Sequence, residues 1–248
     1  MMRTANPTLN ENVFTAFGRT RSEEAMSIQG TVNKTGILLA LALLTAGWTW
    51  NLFTASGNAA AVAPWLIAGA IGGLIVAVIT TFKQAWAPFT APVYALLEGL
   101  VLGGLSAMFE ASYPGIAFQA IGLTAATLAA LLLAYKSGLI RATPAFKKGI
   151  LAATGGIFLL YLASFVLGFF GVRIPGLFDS GLVGILFSGF VVTIAALNLV
   201  LDFDLIERGA AQGAPKYMEW YGAFALLVTL IWLYIEILRL LAKLRNRR

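Results

Sequence analysis

Long apolar blocks alternate with short polar connections along almost the whole chain. The blocks run at about 35–53, 62–82, 90–109, 115–135, 149–171, 181–201 and 221–242. Each is close to the roughly 20 residues that a helix needs to cross the hydrocarbon core of a membrane, at about 1.5 Å per residue. Turn-forming sequences separate several blocks, for example Tyr113-Pro114-Gly115. The pattern therefore predicts seven transmembrane helices.

The composition agrees with a membrane protein and limits its chemistry. Of the 248 residues, 59% are hydrophobic and only 11% are charged, whereas about a quarter of the residues of a soluble domain are charged. The chain has no cysteine and no histidine. This excludes disulfides, metal sites built on thiolate or imidazole ligands, and catalysis by either side chain. We therefore expect neither an enzyme nor a bound cofactor.

The distribution of charge suggests three regions and an orientation. Residues 1–33 form a polar tail, 34–242 the transmembrane domain, and 243–248 a basic tail. Eleven Lys and Arg residues fall before the first span or after the second, fourth and sixth, whereas Arg173 and a C-terminal group of five fall on the other side. The N-terminus is therefore predicted to be cytoplasmic. The basic C-terminal tail then falls on the opposite side, against the rule that Lys and Arg stay in the cytoplasm. Either the last block is re-entrant or the tail is an exception to this rule. The basic residues form no continuous patch, so no nucleic-acid partner is expected.

Glycine pairs inside the blocks indicate close helix packing. Gly69 and Gly73 are four residues apart, as are Gly99 and Gly103. Small residues at this spacing let the backbones of two membrane helices approach closely. The pairs favour packing within the chain, with a contact between subunits as the alternative.

Four acidic residues lie within or at the ends of apolar blocks: Glu98, Asp202, Asp204 and Glu236. A charge at membrane depth is costly, so such residues are candidates for an ion or proton site. Glu98 and Asp202 have no basic residue within one helical turn. Asn198 lies one turn before Asp202 and is expected on the same face of the helix.

Asp204 is predicted to belong to a different environment from Asp202. Two residues of helix turn it by about 200°, so the two aspartates cannot both face one pore in a continuous helix. Arg208 follows Asp204 at the spacing that suits an ion pair, and Glu207 competes for the same arginine. The alternatives are an ion or proton site and a solvated interfacial cluster.

Glu236 has two possible roles as well. Arg239, three residues further on, can neutralise it as a structural pair near the interface. Thr229, seven residues earlier, lies on the same helical stripe as Glu236, which instead favours a group lining a pore. Without soft ligands, carboxylates suit protons, Ca²⁺ or Mg²⁺, and Asp202 is the candidate calcium ligand.

Several stretches of the chain resemble the Bax inhibitor-1/YccA family, in particular its bacterial branch. These are residues 201–210 (LDFDLIERGA), 214–221 (APKYMEWY), 29–35 (QGTVNKT) and 92–99 (PVYALLEG), and the resemblance covers roughly 25–245. It implies an all-α bundle of seven transmembrane helices with the last helix central. It also implies a bacterial inner-membrane location and a pH-sensitive calcium leak.

The resemblance also assigns positions to the sensor that controls the pore. Asp202 matches the family's acid at the end of the sixth span. Thr229 takes the place of the aspartate that pairs with it in the seventh span, so the two-aspartate sensor does not form in the family's way. Glu236 or Glu98 is a possible substitute for the second acid.

Two functions from different classes follow from these observations. The first is a cation leak channel in which intramembrane carboxylates control permeation. The second is a regulatory protein without transport that binds another membrane protein, such as a protease. In both cases the chain lies in a lipid bilayer. The sequence does not determine its oligomeric state.

Overall fold

The computed structural model describes residues 25–172 and 179–247. It contains seven long helices: α1 (Ile28–Ser56), α2 (Ala59–Phe82), α3 (Ala87–Ser112), α4 (Ile116–Lys136), α5 (Pro144–Phe169), α6 (Leu182–Ala211) and α7 (Met218–Asn246), with a 3₁₀ turn at Gln84–Trp86. All seven are long and apolar enough to span a membrane, which confirms the predicted fold class. Arg173 and residues 1–24 of the predicted tail lie outside the described residues.

Side-chain caps extend several helices beyond the apolar blocks. The Ser27 hydroxyl accepts a hydrogen bond from the Gly30 amide at 2.9 Å, so α1 begins inside the segment predicted as a polar tail. Asn58 caps α2 in the same way, and Thr143 caps α5 with Pro144 in its first turn. Caps satisfy amides that the first helical turn leaves without partners. Polar residues at the interface therefore lengthen the helices past the hydrocarbon core.

The last helix, α7, lies at the centre of the bundle, which confirms its predicted position. It packs against α1, α3, α4 and α6, and 67% of its most apolar stretch is buried, against 11% for α5. Residues 220–235 contain no charged side chain, and a helix that is apolar all round suits a buried position. The outer helix α2 packs mainly against α1 and α3.

Small residues bring three of the helices into close contact. A Cβ atom added at Gly99 or Gly103 of α3 would overlap the carbonyl oxygen of Ala42 or Ala46 in α1. A Cβ atom added at Gly69 of α2 would likewise overlap a backbone carbonyl oxygen of α3, that of Leu97. Such contacts let backbones pack at distances that larger side chains prevent. These glycines therefore join α1, α2 and α3 within the chain.

The helix α7 is unbroken from one end of the bundle to the other, so the re-entrant alternative for the last block is wrong. Its first turn contacts Ser27 and Lys34 at the start of α1. Its last turns lie at the other end of the bundle. There Lys243 donates a hydrogen bond to the Gly184 carbonyl at the start of α6, and Arg245 donates one to the Pro114 carbonyl. We call the end of the bundle where α1 begins the near end, and the opposite end, where α7 finishes, the far end.

Candidate functional site

Asp202 and Thr229 form a hydrogen-bonded pair in the middle of the bundle. Asp202 is fully buried in α6, and Thr229 of α7 is 3% exposed. The Thr229 hydroxyl donates to a carboxylate oxygen of Asp202 at 2.6 Å. A hydroxyl both donates and accepts, so it suits the ionised and the protonated form of the carboxyl group. Thr229, which the resemblance assigned to the position of the second acid, is thus a direct partner of Asp202.

Asn198 lies one turn from Asp202 and is 2% exposed. Its amide nitrogen donates to the Thr154 hydroxyl of α5 at 2.9 Å and to the Ile194 carbonyl at 2.8 Å. Within the described part of the chain, its carbonyl oxygen has no hydrogen-bond partner. Because buried polar atoms are nearly always paired, this oxygen is an acceptor available to a proton donor, a water molecule or a cation.

Asp204 belongs to a charged cluster towards the near end. It forms ion pairs with Arg208 of its own helix and with Lys147 of α5, whose nitrogen lies 2.7 Å from the carboxylate. Glu207 accepts a hydrogen bond of 2.5 Å from the hydroxyl of Tyr135. The cluster is thus neutralised by two basic side chains. Lys147 is not evident as a partner from the sequence, since it is far from Asp204 along the chain.

Glu236 lies two turns beyond Thr229 on α7 and is 1% exposed. It accepts hydrogen bonds from the Tyr161 hydroxyl of α5 at 3.0 Å and from Arg239 at 3.1 Å. Seven residues of helix place it about 10 Å from Thr229 along the axis. Glu236 therefore belongs to a level closer to the far end, where its partners are Tyr161 and Arg239.

Glu98 is half-buried at the contact between α2 and α3. A Cβ atom at Gly73 of α2 would lie 2.7 Å from its carboxylate, so the glycine makes room for it. Tyr94 lies one turn before Glu98 and interacts with it, and the Tyr94 ring packs edge-on against Phe224 of α7 with centroids 4.9 Å apart. Its contacts are thus with α2 and its own helix, while Asp202 is held between α6 and α7.

Polar groups on α5, α6 and α7 form levels that apolar side chains separate. Three side chains of one apolar cluster, Ile157, Ile194 and Trp232, lie between the levels of Asp202 and Glu236 along their helices. At the far end, a cavity of about 640 Å³ reaches Glu236. Polar groups thus occur at successive depths between the two ends of the bundle, and packed apolar side chains separate one polar level from the next.

A fifth acid, Glu219, lies in the first turn of α7 at the near end and is fully buried. It forms ion pairs with Lys34 and Lys216, the latter at 3.1 Å. It also accepts hydrogen bonds from the amide and the hydroxyl of Ser27, at 2.8 and 2.9 Å. The sequence pattern did not single this residue out. The available signal was that Lys34 follows the N-terminal polar tail and Glu219 the connection after the sixth block, which the charge distribution places on the same side of the membrane.

Calcium at Asp202 would rely on few protein ligands. In the described residues no three acidic side chains converge, whereas Ca²⁺ takes six to eight oxygen ligands. The oxygens available at this level come from Asp202, Thr229 and the unpaired carbonyl of Asn198. Such a set suits an ion that keeps part of its water shell.

Seven apolar helices, the last of them central, with carboxylates buried among them, define a multi-pass membrane protein. The chain matches the family model described as Bax inhibitor 1 like over residues 6–246, nearly its whole length. It therefore belongs to this family, which confirms the predicted resemblance at that level. No curated protein and no solved structure matches the chain significantly.

Proposed function

We propose that the protein lets cations, Ca²⁺ in particular, cross its membrane along a path that intramembrane carboxylates control. The single observation that carries this proposal is Asp202, a fully buried acid with a hydroxyl partner and the unpaired oxygen of Asn198 one turn away. Burying an acid in the membrane costs several kilocalories per mole, and such residues commonly mark ion or proton pathways. A negative charge at this depth attracts a cation that enters the bundle.

The arrangement of levels supports a path that is closed at rest. A cation entering from the far-end cavity meets Glu236 first and must then pass the apolar cluster of Ile157, Ile194 and Trp232. Hydrophobic constrictions close pores because water and ions do not remain in them. Opening therefore requires α5 to move relative to α6 and α7, and α5 is the helix with the least buried apolar stretch.

Protonation of Asp202 gives the path its dependence on pH. The protonated group is neutral and attracts cations less, while the Thr229 hydroxyl is able to accept a hydrogen bond from it. Asp202→Asn has the shape and charge of the protonated state. We therefore expect the flux of this variant to stay near the wild-type level found at low pH and to lose its response to pH.

The test measures Ca²⁺ uptake into proteoliposomes that contain a fluorescent indicator, at pH 6 and pH 8. We expect Asp202→Asn to change the flux at pH 8 by about tenfold, which corresponds to about 1.4 kcal/mol in the barrier. Glu207→Gln is the matched control, since it removes an exposed acid from the same helix and should leave the flux unchanged. Absent wild-type flux, or an unaltered pH response in Asp202→Asn, would contradict the proposal.

The second candidate is a regulatory protein without transport that binds another membrane protein, such as a protease. An apolar cleft of about 430 Å³ between α1, α3, α4 and α7 favours it, because it offers a surface for a foreign transmembrane helix. Folded protein that gives no flux at either pH would favour this candidate. In either role we propose no catalysis and no cofactor. We also propose that the protein lies in a bacterial inner membrane with its N-terminus in the cytoplasm. The distribution of Lys and Arg supports this orientation.

A further inference from the structure

The far-end cavity has the size of a binding site for a small ligand. It lies between α3, α5, α6 and α7, and its volume of about 640 Å³ falls within the range of known ligand pockets. Arg239, Lys243 and three serines line it together with several aromatic side chains. The lining combines positive charge with hydroxyl groups, which are the features that bind oxyanions.

Arg239 has an open hydrogen-bonding edge. One of its terminal nitrogens donates to Glu236, and its guanidinium lies 5.9 Å from the centre of the Tyr161 ring. A guanidinium carries five N–H groups. Its contacts with Glu236 and Tyr161 use two of these five groups, and 48% of the side chain is exposed. Arg239 is therefore able to keep Glu236 and bind a second anion with the remaining edge.

Two serine hydroxyls lie in the same cavity with hydrogens to donate. The Ser188 oxygen accepts from Lys243 at 2.9 Å, and the Ser180 oxygen accepts from Asn246 at 2.9 Å. Among the described residues, no acceptor receives the hydrogen of either hydroxyl. Ser188 is only 3% exposed, so its hydrogen is offered in a sheltered position. Both hydroxyls can therefore donate to a ligand in this cavity.

The acids near the cavity are already engaged. Glu236 accepts from Tyr161 and Arg239, and Asp179 acts electrostatically on Lys243. Lys243 itself also donates to the Gly184 carbonyl. Charge in the cavity is therefore nearly balanced, and the open edge of Arg239 is what distinguishes it from a closed salt-bridge cluster.

We propose that this cavity binds a phosphate group, with the open edge of Arg239 and the hydroxyls of Ser180 and Ser188 as its donors. Guanidinium groups match the geometry of phosphate and form two parallel charge-assisted hydrogen bonds with it. The phosphate has two possible sources, the free ion and the headgroup of a phospholipid. Phe165 lines the cavity and is 65% exposed, so a headgroup can enter from the lipid side.

The experiment uses the full chain in a maltoside detergent, which contains no phosphate. Isothermal titration with inorganic phosphate tests the free ion. Native mass spectrometry with added phosphatidylglycerol, compared with diacylglycerol, tests the headgroup. Binding in either arm supports the site and identifies the source of the phosphate. If neither inorganic phosphate nor phosphatidylglycerol binds, the proposal is overturned.

Variants locate the binding within the cavity. Arg239→Gln should weaken it by about ten- to a hundredfold, the usual effect of losing hydrogen bonds to a charged group, and Ser180→Ala by about two- to tenfold. Arg245→Gln is the matched control, because Arg245 is an arginine of the same end that donates to Pro114 and Gln119 instead. If Arg239→Gln fails to fold, Ser180→Ala decides the question. Equal weakening by Arg245→Gln, or no effect of Ser180→Ala on bound phosphate, would contradict the site.

Discussion

The central helix α7 buries one glutamate near each of its ends, and the two differ in their surroundings. Glu219 is enclosed at the near end by Lys34, Lys216 and both donors of Ser27. Glu236, towards the far end, has a tyrosine and a half-exposed arginine as partners and lies against a cavity. Their exposed fractions, 0% and 1%, are almost the same. Burial alone therefore does not distinguish them.

The difference in surroundings separates a structural charge from one that is able to change state. Any movement of Glu219 breaks contacts with α1, with the segment before it and with the connection between α6 and α7. Gly30 of α1 lies so close that a Cβ atom there would overlap the carboxylate. Around Glu236 the cavity leaves room for water, an ion or a shift of Arg239. We infer that the near end fixes α7 and that the far end allows movement.

Replacing each glutamate by glutamine tests this comparison most directly. We expect Glu219→Gln to lower the free energy of unfolding by about 3–5 kcal/mol, because it leaves a mostly buried Lys34 without its counter-charge. Glu236→Gln should cost about 1–2 kcal/mol, since Arg239 is half-exposed and remains solvated. Equilibrium unfolding in mixed detergent and SDS micelles gives both values. Equal losses in the two variants would show that the ends of α7 are anchored alike.

Local spacing predicted much of the architecture and part of the site. The seven helices follow from block length, and the central position of α7 follows from the resemblance. Asn198 and Asp202 are one turn apart on α6, and Arg208 pairs with Asp204 at i+4, because both relations depend on helix geometry alone. Elements and contacts within one helix are thus accessible from sequence.

Contacts between helices were not accessible in this way. Lys34 and Glu219 are 185 residues apart, and Tyr161 and Glu236 are 75 apart. These pairs depend on the relative rotation and depth of two helices, which block boundaries do not define. The same limit applies to Glu98, whose contacts with Gly73 and Tyr94 place it away from the pair of Asp202 and Thr229. A rule based on membrane depth alone treats these acids as equivalent.

A methyl group added at Gly30 tests how tightly the near end is packed. Gly30→Ala should lower the free energy of unfolding by about 1–3 kcal/mol, because its Cβ would displace the Glu219 carboxylate from Ser27 and Lys34. Gly36→Ala is the control on the same helix, as a Cβ there meets nothing within 4 Å. Alanine also raises helix propensity, so the control should be neutral or slightly stabilising. A neutral Gly30→Ala would show that the near end adjusts easily.

The two lysines that hold Glu219 provide the finest comparison. The side chain of Lys34 is 17% exposed and also lies 5.5 Å from the centre of the Trp220 ring, whereas that of Lys216 is 55% exposed. Lys34→Gln should therefore lower the free energy of unfolding by roughly 1–1.5 kcal/mol. Lys216→Gln should cost about 0.5 kcal/mol or less, because water screens an exposed pair. If raising the salt concentration removes the Lys34 effect as readily as the Lys216 effect, the pair of Lys34 and Glu219 is solvated, and Glu219 is not the anchor that its burial indicates.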